Sequence, residues 1–112
     1  MNNKKLGTEW EQKCCEILKN NGCWVHFITP DSRGTQPFDI IAVKNGIAKA
    51  IDCKTCVSDT FSISRLENNQ FFAFEKWLEC GNQMPEIWVK HNDKLYIICY
   101  QELKEKGKVK LQ

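Results

Sequence analysis

A chain of 112 residues, 42% hydrophobic and 27% charged, is long enough for one modest core and too apolar for a disordered polymer. Its formal charge of +2 gives nucleic-acid binding only weak support, because proteins that grip phosphate backbones usually carry more, though a dimer would double it. No apolar run approaches the ~20 residues of a membrane span, the Asn-Lys-rich start is no signal peptide, and the odd number of cysteines, seven, reads as reduced thiols in a cytoplasmic protein.

Residues 4–21 read as a helix. Leu6, Trp10, Cys14, Ile17 and Leu18 recur at helical spacing, and Asn21-Gly22 supplies a stop. Residues 23–29 (CWVHFIT) form a strand, followed by a polar loop from Pro30 to Gln36. Two further strands, about 38–43 and 47–54, flank Lys44-Asn45-Gly46, a tight-turn signature. Ser64-Arg65-Leu66-Glu67 has the capping-box pattern, and the helix it opens runs to about Cys80 with Phe71, Phe74 and Leu78 facing inward. Residues 86–100 (EIWVKHNDKLYIICY) make a second hairpin turning near Asn92-Asp93, and QELKEKG closes the chain as a short helix with a frayed basic tail over about 107–112. The order α-β-β-β-α-β-β-α predicts a single α/β domain over 1–112, with a mixed sheet flanked by helices.

If Asn45-Gly46 is a two-residue turn, Lys44 pairs with Ile47, Ile41 with Ala50, and, further out, Asp39 with Asp52. The last is a non-hydrogen-bonded pair with alpha carbons about 4.5 Å apart. Like charges placed so cost roughly 0.2–1 kcal/mol, so something should compensate. A magnesium ion would, since it seeks hard carboxylate oxygens and accepts few protein ligands. Lys54 lies two residues beyond Asp52, hence on the same face. Its ammonium could orient a water or stabilise developing negative charge on a phosphate. A surface cluster in which Lys54 only neutralises the two aspartates fits the same spacing.

Pro37-Phe38-Asp39, followed after a hairpin by Asp52-Cys53-Lys54, resembles the signature of the PD-(D/E)XK nuclease superfamily. The closer resemblance is to archaeal-type Holliday junction resolvases and related phage and bacterial endonucleases, through Gly7-Thr8-Glu9-Trp10-Glu11, the run FDIIAVKNG and Gln70. It implies the restriction-endonuclease-like fold and metal-dependent hydrolysis of DNA, leaving a 5′ phosphate. It further implies branched DNA as substrate, a homodimer to make two symmetric cuts, and a bacterial, archaeal or phage-infected cell as the setting. The metal would be Mg2+, with Mn2+ substituting, held by Asp39, Asp52 and the Cys53 carbonyl. Lys54 would position or activate water, and Gln70 would orient Lys54 or the substrate.

Two glutamates compete for the helix position. Glu11 has Cys14, Cys15 and Leu18 at i+3, i+4 and i+7 and so borders the inward face, whereas Glu9 looks onto a solvated one. Glu11 also fits the family's G-x-x-x-E spacing and would assist the metal directly or through water. Ser32-Arg33-Gly34 in the first loop is the expected phosphate contact, with Arg65 and Lys13 weaker ones. The chain departs from the family in having Asp52 where glutamate is commoner, and in a less basic first loop. Cys53-x-x-Cys56 stands alone without a second cysteine pair, which argues against zinc, and the four tryptophans read as core or interface. Two alternatives are a nuclease of the same chemistry acting on another DNA form, and an inactive nucleic-acid-binding or inhibitory module.

Overall fold

The computed structural model describes residues 3–30, 33 and 35–111, with side chains from residue 8 onward. Helix α1 spans Asn3–Asn20. Trp10, Cys14 and Leu18, one helical turn apart, are its buried stripe. Gly22, at φ 89°, takes the left-handed conformation that ends the helix, and the Lys44 ammonium donates to the Asn21 carbonyl at 2.6 Å.

Strands β1 (Trp24–Phe27), β2 (Ile40–Lys44), β3 (Ile47–Thr55), β5 (Glu86–His91) and β6 (Lys94–Cys99) form one mixed sheet in the order β1-β2-β3-β5-β6. The β2–β3 register is the one the turn dictates: Lys44 faces Ile47 and Ile41 faces Ala50, with Asn45 and Gly46 at φ 53° and 76°. Asn92 and Asp93, at φ 50° and 60°, make the equivalent turn between β5 and β6. β3 and β5 run parallel, which requires a crossover, and helix α2 (Asn68–Glu79) lies in it.

The sheet has a core on each face. On one, Trp10, Cys14 and Leu18 pack on Ile40, Ile51, Cys53 and Trp88. On the other, Phe74 of α2 and Tyr100 and Leu103 of α3 (Tyr100–Lys106) pack on Ala50, Ile87, Val89 and Ile98. Alternation along β3 therefore sends Ile51 and Cys53 toward α1, and Ala50, Asp52 and Lys54 toward α2.

Two expectations fail. The Ser64–Glu67 capping box does not form: Ile63–Arg65 is a 3-10 turn capped by Ser62, Leu66 is extended, and α2 starts three residues later with Glu67 as N-cap. The tail is not frayed either. Lys108–Lys110 is a strand, β7, pairing antiparallel with β4 (Thr60–Ser62), and Leu111 is buried beyond it. The ribbon holds because Phe61 and Val109 form its inner face against the core, with Phe61 fully buried. Strands of three residues are too short for their alternation to announce them.

Candidate active site

Asp39 stands one residue outside the β2–β3 ladder and is pinned from three sides. Its N–H donates to the Ile51 carbonyl at 3.2 Å, its carbonyl accepts from the Ile28 N–H at 2.7 Å, and its Oδ2 accepts from the Cys53 N–H at 2.8 Å. A carboxylate is thus fixed on the backbone of β3 immediately after Asp52.

Asp52 is fully buried, and its Oδ1 accepts from Gln70 Nε2 at 3.0 Å. Its Oδ2 accepts no hydrogen bond. The Lys54 Nζ lies 3.2 Å away and forms an ion pair with it, without the alignment of a hydrogen bond. Burial, then the charge of Asp39, push the Asp52 carboxyl well above the usual carboxylate range, and Lys54 opposes both. Lys54 in turn donates to Gln70 Oε1 at 3.1 Å, and the same oxygen accepts from the Glu67 N–H at 3.0 Å, capping α2. One amide therefore links helix start, lysine and buried aspartate. Its own burial, at 5% exposed, would be costly without those partners.

Glu11 reaches the same site from α1, held over the sheet by the neighbouring Trp10, whose indole N–H donates to the Trp88 carbonyl at 2.9 Å. Partial burial, then Asp39, raise the Glu11 carboxyl to about 7 against the pull of Lys54. Glu9 is exposed, as its solvated face predicts.

Among the described residues, no three His, Cys, Asp or Glu side chains stand close enough to share one ion. The donor set nonetheless suits a hard divalent cation, which needs few protein ligands. Asp52 Oδ2 is a buried oxygen lacking a hydrogen bond, and a second carboxylate sits beside it. Direct coordination by Glu11 as a third carboxylate does not follow from this geometry.

Of the remaining expected residues, Ser32 and Gly34 lie outside the described ones, and Arg33 and Lys13 are exposed. Arg65 donates from Nη2 to the Thr55 carbonyl at 2.8 Å, and its guanidinium lies 5.4 Å over the Phe61 ring. The Cys53 and Cys56 side chains belong to opposite cores, so they form no ligand pair. The Cys53 thiol packs against Cys14, whose hydrogen bond, with burial, pushes it up. Trp10 and Trp88 are core, whereas Trp24 is 62% exposed on edge strand β1, stacked on His26.

Sequence reasoning passed over His91. It is buried, with Nδ1 2.9 Å from the Cys56 carbonyl and Nε2 3.2 Å from Asp59 Oδ1, and so pins the loop that leaves β3 just after Lys54. The sequence signal was a histidine closing β5 just before the Asn92-Asp93 turn.

A mixed five-stranded sheet between helices, with Asp52 and Lys54 on its central strand and the Asp39 carboxylate bonded to that strand's backbone, is the restriction-endonuclease-like class of fold. The chain superposes on the Archaeoglobus fulgidus Holliday junction resolvase Hjc with a TM-score of 0.67 at 16% identity, covering 85% of this chain and 73% of that one. A crossover junction endodeoxyribonuclease of Sulfolobus islandicus rod-shaped virus 1 is 27% identical over 116 residues, spanning 100% of this chain and 96% of the viral protein. The family model for archaeal Holliday junction resolvases (Hjc) matches residues 2–112. The chain belongs to that family.

Proposed function

We propose that the chain resolves four-way DNA junctions as a PD-(D/E)XK endonuclease, with Mg2+ (or Mn2+) held by Asp39, Asp52 and the Cys53 carbonyl. Family membership makes it a junction-resolving nuclease, and the viral relative carries the name of that activity. The observation that carries the metal assignment is the buried Asp52 Oδ2 without a hydrogen bond, beside a second carboxylate. A bound divalent cation would neutralise charge on the scissile phosphate and acidify a coordinated water.

The chain's own groups do the rest. Lys54, steered by Gln70 Oε1, holds an ammonium where it can orient the attacking water and stabilise charge developing on the phosphate. Gln70 Nε2 fixes Asp52 in turn, leaving its second oxygen turned toward Lys54. Glu11, with its carboxyl near neutrality, is placed to accept a proton from water at the site. Cleavage leaves a 5′ phosphate. Two symmetric cuts require two active sites, hence a homodimer, and Phe72 on α2 and Ile97 on β6, 67% and 53% exposed, mark the elements that would form it.

The test is incubation with Mg2+ or Mn2+ and labelled single-stranded, duplex, flapped and four-way DNA, with Lys54→Ala alongside. Paired symmetric nicks in the junction, lost in the variant, are expected. Cutting of another DNA would keep the site and discard the junction. Binding without any cutting, equal in both proteins, would overturn the nuclease.

A further inference from the structure

The β4–β7 ribbon has an outer face that the proposed chemistry does not use. Thr60 faces Lys110 and Ser62 faces Lys108, and directly opposed residues share a face. With Phe61 and Val109 turned into the core, these four side chains point outward, Lys108 and Lys110 being about 7 Å apart along the strand. The ribbon is braced at both ends: the Ile63 N–H donates to the Gly107 carbonyl at 2.9 Å and the Leu111 N–H to the Asp59 carbonyl at 2.7 Å.

Beside it lies an open cavity of about 510 Å³, lined by Thr55, Ser58, Thr60, Ser62 and Arg65 together with Cys56 and the exposed Val57. It begins one residue past Lys54. Arg65 is already oriented by the Thr55 carbonyl and the Phe61 ring, and one hydrogen bond leaves most of the guanidinium's five donors for a ligand. Among the described residues, Arg65, Lys108 and Lys110 have no carboxylate partner, whereas Lys104 and Lys106 of the adjoining helix are paired with Glu75 and Glu102. The carboxylate in this loop, Asp59, is directed to His91.

We propose that this ribbon face, Lys108, Lys110, Thr60 and Ser62 together with Arg65, binds the sugar-phosphate backbone of a duplex arm of the DNA substrate. The inference rests on the nuclease reading for its ligand. Cations and hydroxyls with no exposed aromatic ring among them suit phosphates rather than stacked bases, so the contact carries no sequence preference. Its nearness to the end of β3 places a grip on the arm beside the cut, and it supplies the basic surface that the composition and first loop lack.

The test is anisotropy of a labelled four-way junction and of a plain duplex across a NaCl series, with the full chain and no divalent metal. Each phosphate contact contributes about 0.9 to the slope of log K against log salt. Lys108→Gln/Lys110→Gln should therefore lower the slope by about 1.8 on both DNAs, Arg65→Gln should lower it further, and Lys108→Arg/Lys110→Arg should restore it. A double variant of equal charge elsewhere, Lys19→Gln/Lys76→Gln, should leave the slope in place. An unchanged slope in the ribbon variant, or equal losses in both double variants, would overturn the proposal. Neither depends on cutting: a wild-type chain that cuts no DNA yet shows the slope change would sink the nuclease and keep the grip.

Discussion

Gln70 is the residue on which the site turns, because its two amide ends serve different partners. Gln70→Leu keeps the volume but leaves Asp52 Oδ1, the Glu67 N–H and Lys54 without it, so we expect a loss of about 1–3 kcal/mol in denaturant unfolding together with slowed cleavage. Lys54→Ala should reduce single-turnover cleavage by roughly 10²–10³-fold, the range for removing one group that stabilises a transition state. The carboxyls give a pH dependence of definite sign. Glu11 is raised from 4.5 to about 7 and Asp52 is raised as well, so the folded, metal-free protein binds more protons than the unfolded chain. The Glu11 contribution to stability is full below about 4.5, falls as pH rises to about 7, and is level above, and Asp52 acts in the same direction. Metal ligands must be ionised, so the melting-temperature increase on adding Mg2+ should grow from pH 5.5 to pH 8 and disappear in Asp39→Asn. An Mg2+ shift independent of pH would contradict this. The sequence displays Asp39, Asp52, Lys54 and Gln70 because strand alternation and a helical stripe bring them to shared faces. It does not display the bond from the Cys53 N–H to Asp39 Oδ2, which depends on Asp39 leaving the ladder.

Among the elements, the hairpins were legible because each turn is written in two adjacent residues that tolerate positive φ. The α2 start was misplaced by three residues because Ser64 and Glu67 match a capping pattern, while the structure uses Glu67 and Gln70 instead. Nothing local separates the two, and the choice falls to Gln70's buried partners. The β4–β7 ribbon was missed because a Lys-Val-Lys tail looks solvated until Phe61, far away in sequence, offers Val109 a place. A frayed tail would be dispensable, whereas this one is not. Leu111→Ala should cost about 2–5 kcal/mol, as for other fully buried leucines, against a negligible effect for Lys110→Ala, compared by urea midpoint.

For the whole molecule, the paired-cut requirement predicts a dimer mass in light scattering, and Phe72→Glu/Ile97→Glu should convert it to monomer and uncouple the two nicks of a junction. Monomeric wild type with coupled nicks would remove the argument. The fold also fixes the order in which heat should disable the protein. Helix ends open more readily than sheet centres, and the first turn of α2 is closed by the oxygen that holds Lys54. Fraying of a single turn would therefore remove the Gln70 bond that steers the ammonium, leaving it only its ion pair with Asp52, while both cores stay packed. Activity should fade reversibly some degrees below global melting, in step with hydrogen exchange at the Glu67 amide and ahead of exchange at the central amides of β3. The warmest temperature at which this chain works is then set by one helical turn rather than by the stability of the domain.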